Sequence, residues 1–362
     1  MILFINILVL IVNGFIQIAN VYVLFVCRIL SGIFVGMYLG IVPIYIHELS
    51  PHSVSGSFGA FTQLAHILGA VFCYLLGMIF DLTNEEDTVF FWRFMFSCTS
   101  VFVLMQTIFF AVHYVPESPN SLLEKGDFYE AKNVLAMFNN PNPKKIEELV
   151  QEKKLENEDL EANQTISINE TLTVDKIIMT WKSGFLGFQL PLMQQLTGIN
   201  FIVTQLGQIT GTYDPSLQPY SALVANTIEF IAACFSILLL IRVGRKPIIQ
   251  YGNLTIGVLN ILIGILFIYI DWAPSFTIIL VLVALFMTTY GLTVGPVIWL
   301  YVPEILPTKM VPIATIMNWA GCSFCVIVPP IVISIMGSPY LIFLILGVVE
   351  LLLFIPNLLM LK

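Results

Sequence analysis

Tyr45-Ile-His-Glu48-Leu-Ser-Pro51 recurs as Tyr301-Val-Pro-Glu304-Ile-Leu-Pro307, and this pair of heptapeptides decides the architecture. Each copy reads Y-[IV]-x-E-[IL]-x-P, and each stands at the end of a long apolar run. The surrounding composition says what the runs are. Of 362 residues 58% are hydrophobic and 10% charged, against about 25% charged in a soluble domain. Roughly 20 apolar residues cross a bilayer as a helix, and lipid offers no partners to unpaired backbone groups, so spans are helices or closed barrels. The runs are continuous rather than alternating, which excludes the barrel.

Working outward, ten spans are expected, at about 2–19, 20–46, 56–80, 91–114, 184–212, 219–241, 248–270, 275–302, 311–336 and 339–361. Four precede a long polar segment and six follow it. Residues 115–182 hold thirteen of the 23 acidic and eight of the 15 basic side chains. With that segment inside, Arg242, Arg245, Lys246 and Lys309 are also cytoplasmic, while the connections 81–90, 213–218 and 271–274 lack Lys and Arg. That asymmetry orients the chain with both termini inside. The two heptapeptides then lie at the cytoplasmic ends of the second and eighth spans, six spans apart in the same orientation. Parallel six-helix halves of this kind are a carrier architecture. Four spans before the central segment leave two helices unaccounted for at the start.

The central segment reads as short helices, SLLEKGDFYEAKNVLAMF and PKKIEELVQEKKLENEDLEAN, with charges at i,i+4 spacing. Its sequons at Asn163 and Asn169 are expected to stay unmodified, since glycosylation occurs on the opposite face. Six cysteines fall in apolar stretches without metal-ligand spacing, and no charged n-region with a cleavage site opens the chain. A membrane enzyme is disfavoured, because no ligand cluster, nucleophile elbow or phosphate loop is present; no metal and no cofactor is expected.

Seven motifs resemble the sugar-porter branch of the major facilitator superfamily, the family of the facilitative glucose transporters. They are Arg28-Ile-Leu-Ser-Gly32-Ile-Phe-Val-Gly36, Pro43-Ile-Tyr-Ile-His-Glu-Leu-Ser-Pro51, Pro116-Glu-Ser-Pro-Asn-Ser-Leu-Leu123, Gln194-Gln-Leu-Thr-Gly-Ile-Asn200, Gly244-Arg-Lys-Pro247, Gly295-Pro-Val-Ile-Trp299 and Asn318-Trp319. Their order and near-regular spacing cover almost the whole chain. The wording around GINFIVTQ and GPVIWLYVPE is similar to protozoan hexose transporters. The resemblance implies an all-α major facilitator fold: an incomplete N-terminal bundle at 1–114 (equivalent to helices 3–6), a linker at 115–182 and a six-helix bundle at 183–362. It implies alternating-access transport of a hexose, facilitative or proton-coupled, by a monomeric multi-pass protein of the plasma membrane, with no nucleic acid partner.

A hexose is neutral and covered with hydroxyls that donate and accept, so its site needs amides and aromatic faces. On one continuous helix, Gln194 and Asn200 are a little under two turns apart, with Gln195 beside the first. The resemblance places Gln194, Gln195 and Asn200 on sugar hydroxyls, Trp299 as a stacking ring on the inner side with Asn318 and Trp319 beside it, and Gln63 as a further hydrogen-bonding amide. The alternatives are an interhelical amide clamp and interfacial tryptophans. Glu229 stands where the family has a sugar-binding asparagine; a carboxyl at that depth is neutral, paired or in a wet cavity, and Asn226 or Gln195 are available partners. Glu350 and His66 have no role that the resemblance assigns.

Arg28, Glu48, Glu117, Arg242, Arg245 and Glu304 match the family's cytoplasmic gate, whose ion pairs lock the outward-facing state. The plainer reading is positive-inside anchoring with weak surface pairs. Several partners depart from the pattern: Ser55 and Asn120 replace arginines, Ile241 replaces an acid, the 304–318 stretch is short, and Thr204 and Gln205 stand for outer-gate tyrosines. A weakened latch and a preference for inward-facing states follow. The competing reading is a transport-incompetent truncated relative or a sugar sensor; a porter for a polyol or inositol is a second alternative.

Overall fold

A computed structural model describes residues 2–18, 20–49, 55–79, 85–112, 116–138, 174–270, 275–306 and 310–361. Pro51, Pro307, Lys309, both sequons and the second helical stretch expected in the linker lie outside the described residues. Within them the fold is helical throughout: α1 (Ile2–Ile16), α2 (Val21–Leu49), α3 (Ser55–Ile79), α4 (Glu85–Val112), α5 (Pro119–Glu124), α6 (Phe128–Phe138), α7 (Val174–Leu196), α8 (Ile199–Tyr213), α9 (Gln218–Val243), α10 (Arg245–Ile268), α11 (Ser275–Leu292), α12 (Val294–Ile305), α13 (Val311–Met336) and α14 (Tyr340–Met360). Among the described residues eight stretches are long and apolar enough to cross a membrane, and α1 is a shorter apolar helix.

Two of the expected spans are broken rather than continuous. The 184–212 run divides at Thr197-Gly198, where Gly198 takes φ 86°, a left-handed conformation that costs glycine little. The 275–302 run divides at Thr293, ahead of Pro296, which has no N–H to give the preceding turn. Gly252 on α10 makes the second break fit, because a Cβ there would stand 2.2 Å from Thr293 Oγ1.

The chain forms two compact units. The first comprises residues 1–58 and 79–173, the second residues 59–78 and 174–362. The 59–78 part of α3, expected with the first bundle, groups with the second; the Tyr74 hydroxyl donates to the Val203 carbonyl of α8 at 2.8 Å. In the first unit α1 packs on α2 and α4. Asn6 and Asn13, two turns apart and buried, donate to Thr107 Oγ1 at 3.0 Å and Thr99 Oγ1 at 3.2 Å. Such interhelical bonds substitute for the hydrophobic drive that lipid removes. In the second unit α10 and α14 approach most closely, through Gly257, Gly264 and Gly347. Around them Phe201, Phe286, Ile256, Ile263, Ile298 and Met287 form a solvent-free core. The bilayer-facing sides remain apolar and exposed, as at Ile231, Phe235 and Leu352.

Candidate substrate site

At the first helix break four carboxamides converge. Gln194, 1% exposed, donates through Nε2 to the Gly295 carbonyl at 2.7 Å and accepts at Oε1 from Asn318 Nδ2 at 2.9 Å. Gln195 donates to Asn318 Oδ1 at 3.0 Å and accepts from Asn200 Nδ2. Asn318 also donates to the Pro191 carbonyl at 2.8 Å. Local sequence explains the positions. Gln194 and Gln195 occupy the last turn of α7, Asn200 the first turn of α8, and Thr197-Gly198 turns the chain between them. The single-helix geometry expected for Gln194 and Asn200 is therefore corrected: they sit on separate helices, and the turn lets Asn200 reach back to Gln195.

The first break frees a backbone carbonyl, the second starts α12 with Gly295 in its first turn, and an amide meets each. Thr197 O accepts from Asn260 Nδ2 of α10 at 2.9 Å, while Gly295 O takes Gln194. Gly321 lets α13 close on this group, since a Cβ there would be 3.0 Å from Gln195 Cβ. An unpaired buried amide costs several kcal/mol, on the order of 2–7; the carboxamides of Gln194, Gln195 and Asn318 are matched around a relay, while Asn260 Oδ1 is buried without a partner among the described residues. Asn200 is its open end: half-buried, with no partner for its carboxamide oxygen among the described residues. A hydroxyl-rich ligand can exchange amide–amide bonds for amide–hydroxyl bonds at little net cost.

The other expected site residues are less tightly bound into this cluster. Trp299 is half-buried on α12, four residues past Gly295. Trp319 follows Asn318 but is 39% exposed, turned about 100° away around α13. Gln63 is half-buried and His66 exposed on α3. Glu229 is 5% exposed on α9 with no hydrogen-bond partner among the described residues. Its two suggested partners are engaged elsewhere: Asn226 donates to Ala222 O at 2.8 Å, and Gln195 serves Asn318 and Asn200.

The gate set divides. In the second unit Arg245, first residue of α10, bonds Glu304 Oε1 near the end of α12 at 2.6 Å, and Arg242 is exposed in the last turn of α9. Burial pushes the Glu304 carboxyl above its ordinary range, and Arg245 pulls it partly back. In the first unit the Tyr45 hydroxyl donates to Pro116 O at 2.7 Å, bringing the Glu48 heptapeptide to the Pro116–Leu123 motif, and Leu49 packs on Leu122, Leu123, Ala131 and Val134. Glu117 pairs with Lys125 at 2.5 Å in full exposure, and that bond holds its carboxyl below the ordinary range. Arg28 needs correcting. It lies twenty residues before Glu48 on the unbroken α2, about 30 Å at the helical rise, with its guanidinium 5.7 Å from the Phe96 ring centroid. It belongs to the opposite end of α2 from Glu48 and cannot join a cluster with it.

Sequence reasoning passed over Gln189, Gln250, Asn253, Asn260 and Asn357, all buried in the second unit. Heptad spacing was the available signal: Asn253 with Asn260, and Glu350 with Asn357, each put two polar groups on one helical face.

The profile of the family described as "Sugar (and other) transporter" matches residues 1–360. "Hexose transporter 1" of Plasmodium falciparum is 26% identical over 351 residues, covering 90% of this chain and 67% of its own length. The Plasmodium yoelii yoelii "Hexose transporter 1" is 26% identical, covering 87% and 65%. Pig "Solute carrier family 2, facilitated glucose transporter member 2" is 26% identical, covering 89% and 60%. The chain thus spans about two thirds of the length of these relatives. Among solved structures, the proton:xylose symporter XylE bound to 6-bromo-6-deoxy-D-glucose superposes with a TM-score of 0.80 at 21% identity, covering 98% of this chain and 78% of that one. The fold is that of the major facilitator superfamily, and the chain belongs to the sugar (and other) transporter family.

Proposed function

We propose that this protein carries a neutral monosaccharide, a hexose, across a membrane by alternating access, with the sugar received at Gln194, Gln195, Asn200 and Asn318. The observation that carries the reading is the carboxamide relay at the two helix breaks, which has an open acceptor at Asn200. It supplies donors and acceptors without a full charge, which is what a polyhydroxylated neutral ligand requires. Trp299 and Trp319 add aromatic faces, Gln63 a further amide, and Glu229 an acceptor for sugar hydroxyls. Arg242 and the Arg245–Glu304 pair in the second unit, and Glu48 and Glu117 in the first, are gate groups at cytoplasmic helix ends, with both termini on that side and the 1–114, 115–182 and 183–362 segments as bundle, linker and bundle. The named relatives support a sugar but divide over which one: hexose in Plasmodium, glucose in pig, and myo-inositol in Bacillus subtilis. XylE is a proton:xylose symporter, which supports a proton-coupled mode beside the facilitative one.

The test is uptake of labelled D-glucose by the full chain in proteoliposomes, with and without a pH gradient, in competition with xylose and myo-inositol. Saturable uptake that glucose competes best, with Asn200→Ala raising the half-saturation concentration, is expected. Uptake that no sugar competes for overturns the reading. Sugar-dependent thermal stabilisation without uptake would instead mark a sugar-binding relative that does not transport.

A further inference from the structure

A second polar network is buried behind the first, where α7, α10 and α14 meet. Glu350 of α14 is 0% exposed and its Oε2 accepts from Asn253 Nδ2 of α10. Asn253 Oδ1 accepts from Asn357 Nδ2 at 3.4 Å, and that amide also lies 2.9 Å from the Met193 sulfur. Asn357 Oδ1 accepts from Gln189 Nε2 of α7 at 3.2 Å, and Asn357 O from Gln250 Nε2 at 2.9 Å. Gln189 and Met193 share one face of α7, while Gln194 and Gln195 are turned more than 100° from Gln189. The network is thus distinct from the sugar amides although it shares their helix.

Two atoms are left over, and both are acceptors. Glu350 Oε1 and Gln189 Oε1 are buried without a hydrogen-bond partner. Among the described residues no cation compensates the carboxyl. Helix α10 beyond Lys246, helix α7 beyond Lys182, and all of α11, α13 and α14 apart from Glu350 itself contain no Asp, Glu, Lys, Arg or His. The titratable groups that interact with Glu350 are Tyr290 of α11 and Cys325 of α13, and neither carries positive charge. An isolated ion in such surroundings is too costly to persist. Gly257 of α10 backs the site and lets α14 come close, since a Cβ there would be 3.2 Å from Glu350 Cβ.

We propose that Glu350, with Gln189, Asn253 and Asn357, is a proton-binding site inside the second unit. A proton turns Glu350 from acceptor into donor, the one element that a network with two surplus acceptors lacks. A bare alkali ion fits less well, because hard cations gather a shell of several oxygens and only two oxygens here are uncommitted. Occupancy fastens α14 to α7 and α10, the helices that also hold the Thr197-Gly198 break through Asn260. The proposal does not depend on the sugar reading.

The experiment is infrared spectroscopy of the purified full chain through a pH titration. The wild type is expected to show a protonated-carboxyl band at neutral pH that Glu350→Gln removes and Glu229→Gln leaves. Because the folded state holds a proton that the unfolded state releases, thermal stability should fall as pH rises, and Glu350→Gln should flatten that dependence. The same melts with sodium titrated at fixed pH separate the occupants. A sodium-dependent shift lost in Glu350→Gln overturns the proton assignment. Identical bands and melts in wild type and Glu350→Gln overturn the site. Should the variant fail to fold, the wild-type titration still decides, since the absence of a protonated-carboxyl band at every pH near neutrality ends the proposal.

Discussion

Gln195 donates to Asn318 across 123 residues of sequence at 3.0 Å, and Asn318 returns a bond to Pro191, so a single carboxamide stitches α13 to α7 on two sides. Support of this kind separates residues that hold the site from those that meet the ligand. Replacing Asn318 by Leu removes three pairings at once and leaves Gln195 Nε2, Gln194 Oε1 and the Pro191 carbonyl buried. Each orphaned group costs about 1–3 kcal/mol. Asn318→Leu is therefore expected to lower thermal stability sharply in detergent, with or without sugar.

Asn200 behaves differently. It is half-buried and ends the relay, so Asn200→Ala leaves only Gln195 Oε1 to find a new partner. A stability loss of about 1 kcal/mol or less and a raised half-saturation concentration are expected in paired melting and uptake measurements. A large melting loss with unchanged concentration dependence would place Asn200 in the scaffold instead.

Gln194 stands between these cases. It is fully buried, yet its amide meets the Gly295 carbonyl, which lies beside the break between α11 and α12. Gln194→Ala should raise the half-saturation concentration and also destabilise the chain by about 1–3 kcal/mol, the cost of unpaired buried groups. Parallel binding and melting curves read both effects.

Gly347 tests the α10–α14 seam without touching the carboxamide relay. A Cβ there would stand 2.6 Å from Ile261 Cγ1 and 2.9 Å from both the Gly257 carbonyl and the Ile261 nitrogen. Two of these neighbours are backbone and cannot rotate aside. Gly347→Ala should cost about 1–3 kcal/mol as an overpacked contact, read by thermal unfolding.

Much of this arrangement was legible beforehand, and the illegible part has a common cause. Length and apolarity mark where helices lie, and the paired heptapeptides at Tyr45 and Tyr301 mark the repeat, because both are properties of contiguous sequence. The break at Thr197-Gly198 is not: a glycine inside an apolar run also fits a continuous helix, and what admits the turn is Asn260, from 63 residues away, meeting the freed carbonyl. Amides of the second network share that obscurity, since Gln189 and Asn357 acquire meaning only when the faces of α7 and α14 are known to meet. Arg28 stands twenty residues from Glu48 on the unbroken α2, a separation that its motif does not encode.

The two ion pairs at the helix ends make a final test, because their carboxyls are displaced in opposite directions. The Glu304 side chain keeps 34% of its surface exposed, and desolvation of the rest raises its carboxyl above the ordinary 4.5 despite Arg245. Its folded form therefore keeps a proton that its unfolded form has already lost, and this contribution to stability declines as pH rises from about 4.5 through the raised value. Glu117 is exposed and held below 4.5 by Lys125, so its contribution is present above 4.5 and declines as pH falls through the lowered value. On acidification the Arg245–Glu304 bridge should protonate first and Glu117–Lys125 later. The measurement is the difference in melting temperature between wild type and each Glu→Gln variant from acid to neutral pH. For Glu304→Gln the difference should shrink toward neutrality, and for Glu117→Gln it should be small and slope the other way. Slopes of the same sign would show that Arg245, rather than burial, governs the Glu304 carboxyl, and the latch at the end of α12 would then be as weak to acid as any surface pair.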